Sequence, residues 1–204
     1  MGKVVVELTM SLDGFIAGPN DGPEHPLGLR DGESIFNWYF SGNTPSKSNK
    51  MFRPKGKNRE VVDAMFESTG AILSGRRTYD ITRGWNGTHP INGVPVVVLT
   101  HRTPADVPKG KSKFTFVAEI GKAVELAKNA AGAKNVGVLG ASAAQQCIRA
   151  GLVDEFYIHL APILVGAGVR LFEDLGSASI KLELIKALET PEATHLRFRV
   201  VPAH

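Results

Sequence analysis

Apolar residues along this chain gather into short runs and periodic stretches, separated by breaks rich in glycine, proline, serine and asparagine. Residues 3–11 form a near-continuous apolar run of strand length, the pattern of a strand buried on both faces. Asp13-Gly14 then makes a turn, and Phe15-Ile16-Ala17 is a short apolar return. Residues 18–57 hold no sustained period, apart from a helix-like island at Ser34–Phe40. A long irregular loop of this kind in a compact domain is usually functional.

Periodicity resumes after Asn58, read as an N-cap. Val61, Val62, Met65 and Phe66 follow at helical spacing, and Gly70 is expected to end the helix. Ala71–Ser74, Val94–Thr100 and Lys113–Val117 read as strands. Glu119–Ala131 reads as a helix closed by Gly132, Asn135–Leu139 as a strand, and Ala141–Ala150 as a helix stopped by Gly151. Glu155–Ile163 is a longer strand. Lys181–Glu189 and Thr194–Val201 alternate apolar and polar positions, which predicts an antiparallel terminal pair. Strand–helix alternation through the middle implies an α/β fold, with a mostly parallel sheet, flanking helices and an antiparallel C-terminal hairpin.

Composition changes this picture little. The 204 residues suit one domain, 1–204, and 43% hydrophobic with 22% charged residues is ordinary for a globular protein. There is no signal peptide and no apolar run of membrane-spanning length, so a cytoplasmic address is expected. The lone Cys147 excludes an intrachain disulfide framework and a multi-cysteine zinc site, and no metal is expected. Charge is more informative. The net charge is +4, and Lys47, Lys50, Arg53, Lys55, Lys57 and Arg59 crowd one stretch opposed only by Glu60. A solvated loop accounts for them, as does steering of an anionic ligand. Nucleic acid is not expected as a partner, because few aromatics and no binding motif accompany the cations.

Three strand-to-loop junctions carry candidate chemistry, since open α/β sheets bind ligands beyond the carboxyl ends of their strands. At Ser74-Gly75-Arg76-Arg77-Thr78, a helix start would aim free N–H groups at an anion, and two guanidinium groups would add phosphate contacts. At Thr100-His101-Arg102-Thr103, a hydroxyl, an imidazole and a guanidinium suit a terminal phosphate, although a polar strand exit explains the same residues. At Leu139-Gly140-Ala141-Ser142-Ala143-Ala144, a small-residue turn enters a helix, which suits a pyrophosphate or simply close packing.

Taken together, these blocks resemble the dihydrofolate reductase superfamily, and more closely the reductase domain of bacterial riboflavin-biosynthesis deaminase-reductases. The resemblance runs through residues 10–17, 70–79, 96–102, 151–155 and 161–168, in that order. It lacks the family's deaminase half. It implies NADPH as cofactor: Thr9, Ile16 and Ala17 at the nicotinamide; Gly75, Arg76, Arg77 and Thr78 at phosphates. Thr100, His101 and Arg102 would surround the 2′-phosphate, and Leu139, Gly140, Ala141, Ser142, Ala143 and Ala144 would cradle the pyrophosphate. Homodimerisation is also implied. One departure is Ala141, where the family often has a second glycine joined by a cis peptide.

The resemblance further places Arg59 where dihydrofolate reductases carry their acid, which argues against dihydrofolate as substrate. Asp63, one turn on, becomes the candidate catalytic acid. His159 lies inside an apolar strand, where histidines are usually packed. Trp38, Tyr39 and Phe40 would stack a planar heterocycle or anchor the long loop. The expected activity is NADPH-dependent reduction of a small heterocyclic, aminopyrimidine- or pterin-like, or carbonyl substrate. Alternatives are nucleotide binding without turnover and a weak dihydrofolate or pterin reductase.

Overall fold

The computed structural model describes residues 2–176 and 179–202. Its frame is one eight-stranded sheet. The apolar N-terminal run is strand β1 (Val4–Ser11), placed near the sheet's middle with both faces covered. A short β2 (Phe15–Ala17) leaves the main sheet and pairs with β8 (Val169–Arg170). After the long loop come α1 (Gly56–Ser68), β3 (Thr69–Gly75), α2 (Arg76–Ile81) and β4 (Val96–Leu99). Then follow β5 (Phe114–Val117), α3 (Ile120–Ala131), β6 (Asn135–Leu139), α4 (Ala141–Arg149) and β7 (Glu155–Ala161). The chain ends on β9 (Leu182–Glu189) and β10 (Thr194–Val200).

The order across the sheet is β5-β4-β3-β6-β1-β7-β10-β9. Every pairing from β5 to β7 is parallel; β10 runs antiparallel to β7 and to β9. The expected α/β class with an antiparallel C-terminal hairpin is therefore the observed one. Each face of the sheet has its own core. Val4, Val6, Leu73, Val97, Val136 and Val138 pack under α3 and α4, while Ile72, Val96 and Val98 pack with Val62, Phe66 and Trp38 on the other side. Among the described residues, no helix is long and apolar enough to cross a membrane.

Several local expectations change. Asn58 does not cap α1. The helix starts at Gly56 behind Lys55, and Asn58 is fully buried, with its Oδ1 2.8 Å from His195 Nε2 and its Nδ2 donating to Glu192 (3.0 Å). A short amide that caps a helix in isolation is equally able to bond across the fold, and here β10 offers the partner. Gly70 lies inside β3, because Thr69 already adopts extended geometry and joins the ladder to Asn135. Strand β4 begins after Pro95 and β7 stops before Pro162, as expected where a residue has no N–H to give the ladder. In the long loop, Gly32–Phe40 is a 3-10 helix whose Trp38 is buried with its Nε1 donating to Thr9 Oγ1 (3.0 Å). Trp38 thus anchors the loop, while Phe40 stands half exposed.

Charged groups lock the sheet's rear edge. Burial by itself would raise the Glu155 carboxyl, but Lys3 and Arg197 (2.6 Å) outweigh it and hold it below the usual range. Asp13 does more than turn the chain. It accepts from Ser11 Oγ and from the amides of Val165 and Gly166, and these bonds, the serine's foremost, bring its carboxyl down to about 2.

Two buried histidines make the fold acid-sensitive. Burial pulls His89 down to about 4; burial and then the nearby His159 pull His195 down to about 3. The unfolded chain binds protons at these groups from about pH 6.5 downward, where the folded chain does not. Stability is therefore complete above that value and declines as pH falls toward the folded-state values. Each histidine should cost about 1–2 kcal/mol between pH 7 and pH 5. Urea midpoints measured at the two pH values should show the decline, and level midpoints would contradict the buried neutral state.

Candidate functional site

The parallel pairing of β4, β3 and β6 puts their carboxyl ends at one edge of the sheet. Gly75 faces Leu99 in the β3–β4 ladder, and Ser74 faces Leu139 in the β3–β6 ladder. The three junctions singled out in the sequence, after β3, β4 and β6, are therefore side by side. They open onto a crevice of about 850 Å³. Gly75, Arg76, Arg77 and Thr78 line it from the first junction, Thr100, His101 and Arg102 from the second. Leu139, Gly140, Ala141, Ser142 and Ala143 line it from the third, and Ile16 and Ala17 close one side.

The local geometry leaves this crevice open and rich in donors. Gly140 has φ 85°, ψ 147°, and a Cβ there would stand 2.3 Å from Thr78 Oγ1, so only glycine lets α4 start so close to α2. The Gly140–Ala141 peptide is trans. No side chain caps α4, and the amides of its first turn have no partner within the helix. A Cβ on Gly75 would meet nothing nearer than the Ala143 amide at 3.8 Å, so its bareness widens the crevice without being required by the backbone.

The cations divide into bound and free. Arg76 pairs with Asp80 (2.8 Å) and donates to the Arg102 carbonyl (2.6 Å). Arg77 is taken by the Asp21 carboxylate and carbonyl, whose bonds raise its pKa and pin the long loop to α2. Arg102 alone of the three makes no side-chain bond among the described residues, and both it and His101 are exposed. Thr100 Oγ1 accepts from the Arg102 amide (3.2 Å), which curls the second junction around the opening.

Three residues from the sequence reading lie elsewhere. Thr9 is buried under Trp38, and Ala144 packs into the core beneath α4. Asp63 does not reach the crevice. It accepts from Ser46 Oγ (2.7 Å) and Ser48 Oγ (3.1 Å), so its carboxylate holds the loop against α1. The basic stretch is partly structural for the same reason: Arg59 donates to the Thr44 and Pro54 carbonyls, and Lys55 pairs with Glu192 (2.7 Å). Sequence reasoning missed Leu27, Phe36 and Trp85, apolar crevice walls from the long loop and from the short 3-10 segments, and Arg170, which stacks on Phe15 at 4.4 Å. Loops and 3-10 segments this short carry no sustained period, so nothing in the sequence says which of their side chains face inward. Among the described residues, no cluster of potential metal ligands is present.

These donors suit a phosphorylated dinucleotide: uncapped amides at α4 for a doubly charged linker, and an unpaired guanidinium at the rim for a further phosphate. The RibD C-terminal domain family matches residues 2–196. A Shewanella sp. PV-4 protein named for riboflavin biosynthesis is similar over 98% of this chain and 99% of its own, with 25% identity and a TM-score of 0.69. The fold is shared with a Thermotoga maritima diaminohydroxyphosphoribosylaminopyrimidine deaminase/5-amino-6-(5-phosphoribosylamino)uracil reductase at 12% identity and TM-score 0.63; the match covers 98% of this chain and 57% of that one. It is also shared with a pyrimidine reductase-like protein of Corynebacterium diphtheriae at 12% identity and TM-score 0.59, over 99% and 93% of the two chains. No curated protein matches. On this combination of family match, topology and crevice, the chain belongs to the RibD C-terminal domain family, reductase domains of riboflavin biosynthesis within the dihydrofolate reductase-like superfamily.

Proposed function

We propose that the chain is an NADPH-dependent reductase of a small planar heterocycle, of aminopyrimidine or pterin type. The observation that carries this reading is the convergence of three parallel strand exits on one crevice holding uncapped helix amides and an unpaired Arg102. When bound, NADPH supplies the hydride. The chain's own residues bind and orient: the first-turn amides of α4 take the pyrophosphate, and Thr100, His101 and Arg102 take the 2′-phosphate. Ile16 and Ala17 form the apolar wall for the nicotinamide, and Leu27, Phe36 and Trp85 exclude water. A folate-type reductase working through Asp63 loses its support, since that carboxylate is occupied by two serines away from the crevice.

Titration with NADPH and NADH tests the reading. NADPH should bind more tightly, and Arg102→Ala should weaken NADPH by about 10- to 100-fold, the worth of a charge-assisted hydrogen bond, while leaving NADH unchanged. Gly75→Ala should keep the stability of the parent and still weaken both nucleotides, because its methyl enters the open crevice. Equal affinity for the two cofactors would count against the phosphate assignment.

The same reading includes a homodimer formed through the hairpin edge. Among the described residues strand β9 has no neighbour on its outer side, and Leu182, Leu184 and Ile185 are exposed on it. Light scattering should give twice the chain mass of 21.9 kDa, and Leu184→Asp should halve it. A monomer at micromolar concentration would overturn this assembly.

A further inference from the structure

Behind Trp38, two residues along the 3-10 segment from the crevice-lining Phe36, lies a line of polar groups that the binding reading does not use. Glu7 on β1, His159 on β7 and His195 on β10 share one face of the sheet. His159 and His195 are buried, and the Glu7 side chain is only 10% exposed. His159 Nδ1 is 2.8 Å from His195 Nδ1, and His195 Nε2 is 2.8 Å from Asn58 Oδ1. Asn58 Nδ2 donates to Glu192, which is paired with Lys55. At the inner end, His159 Nε2 and Glu7 Oε1 face each other at 3.6 Å, and neither has a hydrogen-bond partner among the described residues.

Donor and acceptor roles along this line are fixed from its outer end. Glu192 is ionised, since the Lys55 ammonium holds its carboxyl below the usual range, so Asn58 must turn its NH2 outward and its oxygen inward. His195 Nε2 must then donate to that oxygen. Burial and the neighbouring His159 keep His195 neutral, with its pKa down to about 3, so its Nδ1 has no proton and can only accept. His159 Nδ1 must therefore donate. In a neutral His159 this leaves Nε2 as a bare lone pair aimed at Glu7. Two acceptors facing each other in a buried site are repulsive and expensive, and one added proton turns them into a donor and an acceptor.

We infer that Glu7 and His159 jointly hold one exchangeable proton and that this pair is the acid serving the substrate side of the crevice. The second half rests on the reductase reading. Position supports it. Phe36 lines the crevice and Trp38 covers the pair, its ring 4.7 Å from His159 and 4.9 Å from His195, and both belong to the same 3-10 segment. Displacement of that segment by a planar substrate would put the pair at the crevice wall. Hydride addition to a C=N or C=O carbon of the substrate then leaves an anionic nitrogen or oxygen. That atom takes the shared proton, leaving carboxylate beside neutral imidazole until water restores it. The other groups facing the pair are Thr9 on β1, Tyr39 on the 3-10 segment and Tyr157 on β7. Arg197 on β10 is engaged by Glu155. Burial foremost, and then the Glu7 charge, push both tyrosines up, so neither competes as the acid.

Nitrogen and carbon NMR of the labelled full chain, without cofactor, reads the tautomers directly. His195 should be neutral with its proton on Nε2, His159 should carry one on Nδ1, and His159 Nε2 and the Glu7 carboxyl carbon should titrate together with one midpoint. In Glu7→Gln the amide itself donates to His159, so His159 should stay neutral and Nδ1-protonated from pH 6 to 8. Glu192→Gln, an isosteric change in the turn before β10, should keep the fold, release Asn58 and mix the His195 tautomers. A neutral wild-type His159 with its proton on Nε2 would overturn the shared proton. In turnover, Glu7→Gln should lower kcat at least tenfold and abolish its decline toward high pH, with NADPH affinity unchanged within twofold. Retention of parental kcat with the parental profile would overturn the role as acid. A wild-type chain that does not bind NADPH would instead sink the reductase reading and the role as acid with it, while the NMR result would still decide the proton pair.

Discussion

Parallel hydrogen bonding of β3 to β4 on one side and β6 on the other is the constraint from which the rest of this molecule follows. Parallel strands end on the same edge, so whatever each one leads into is presented together. Here they lead into Arg76, Thr100 and Gly140, and three separate stretches of sequence become one donor-lined opening. The ladder also sets depth. With Gly75 level with Leu99 and Ser74 level with Leu139, the helices α2 and α4 start at nearly the same height, and Gly140 must lack a side chain for Thr78 to fit beside it.

The two faces of the sheet have separate tasks. The α3/α4 face is almost wholly apolar and gives the crevice rigid walls. The opposite face mixes aromatic packing with the Glu7–His159–His195–Asn58 line, and is closed by a 3-10 segment from the long loop. The segment is held by Trp38 to Thr9, and the loop on either side of it by Arg77 to Asp21 and Asp63 to the two serines. Its attachment combines those bonds with the apolar burial of Ile35 and Trp38. Polar groups under a cover of that sort are costly to the fold. Their retention is intelligible where chemistry needs a proton close to the crevice but shielded from water.

Family membership bears on these points unevenly. It accounts for the fold, which the solved relatives share at low identity. It does not by itself give the substrate, because a fold and a cofactor site leave the acceptor open. The side chains that would meet an acceptor here, Phe36 and the groups behind Trp38, belong largely to the loop and to the hairpin side of the sheet.

Hydrophobic pattern alone determined most of the scaffold: the strands other than β2 and β8 and the helices α1, α3 and α4 are legible because burial imposes an apolar run or a spacing of two or 3.6 on the residues that fill the core. The glycine and cation positions at the three strand exits were legible too, since strand ends in open α/β sheets are where ligands bind. What the sequence left open was every choice between equivalent polar partners. Asn58 had the chemistry of a helix cap and became the link to His195; Asp63 had that of an acid and became a loop tether; Arg76 and Arg77 matched Arg102 in kind, but neighbours took the first two and spared the third. A hydrogen bond depends on where a second group arrives in space, and that position is set only when distant segments pack, so tertiary structure alone decided which of these side chains remained available.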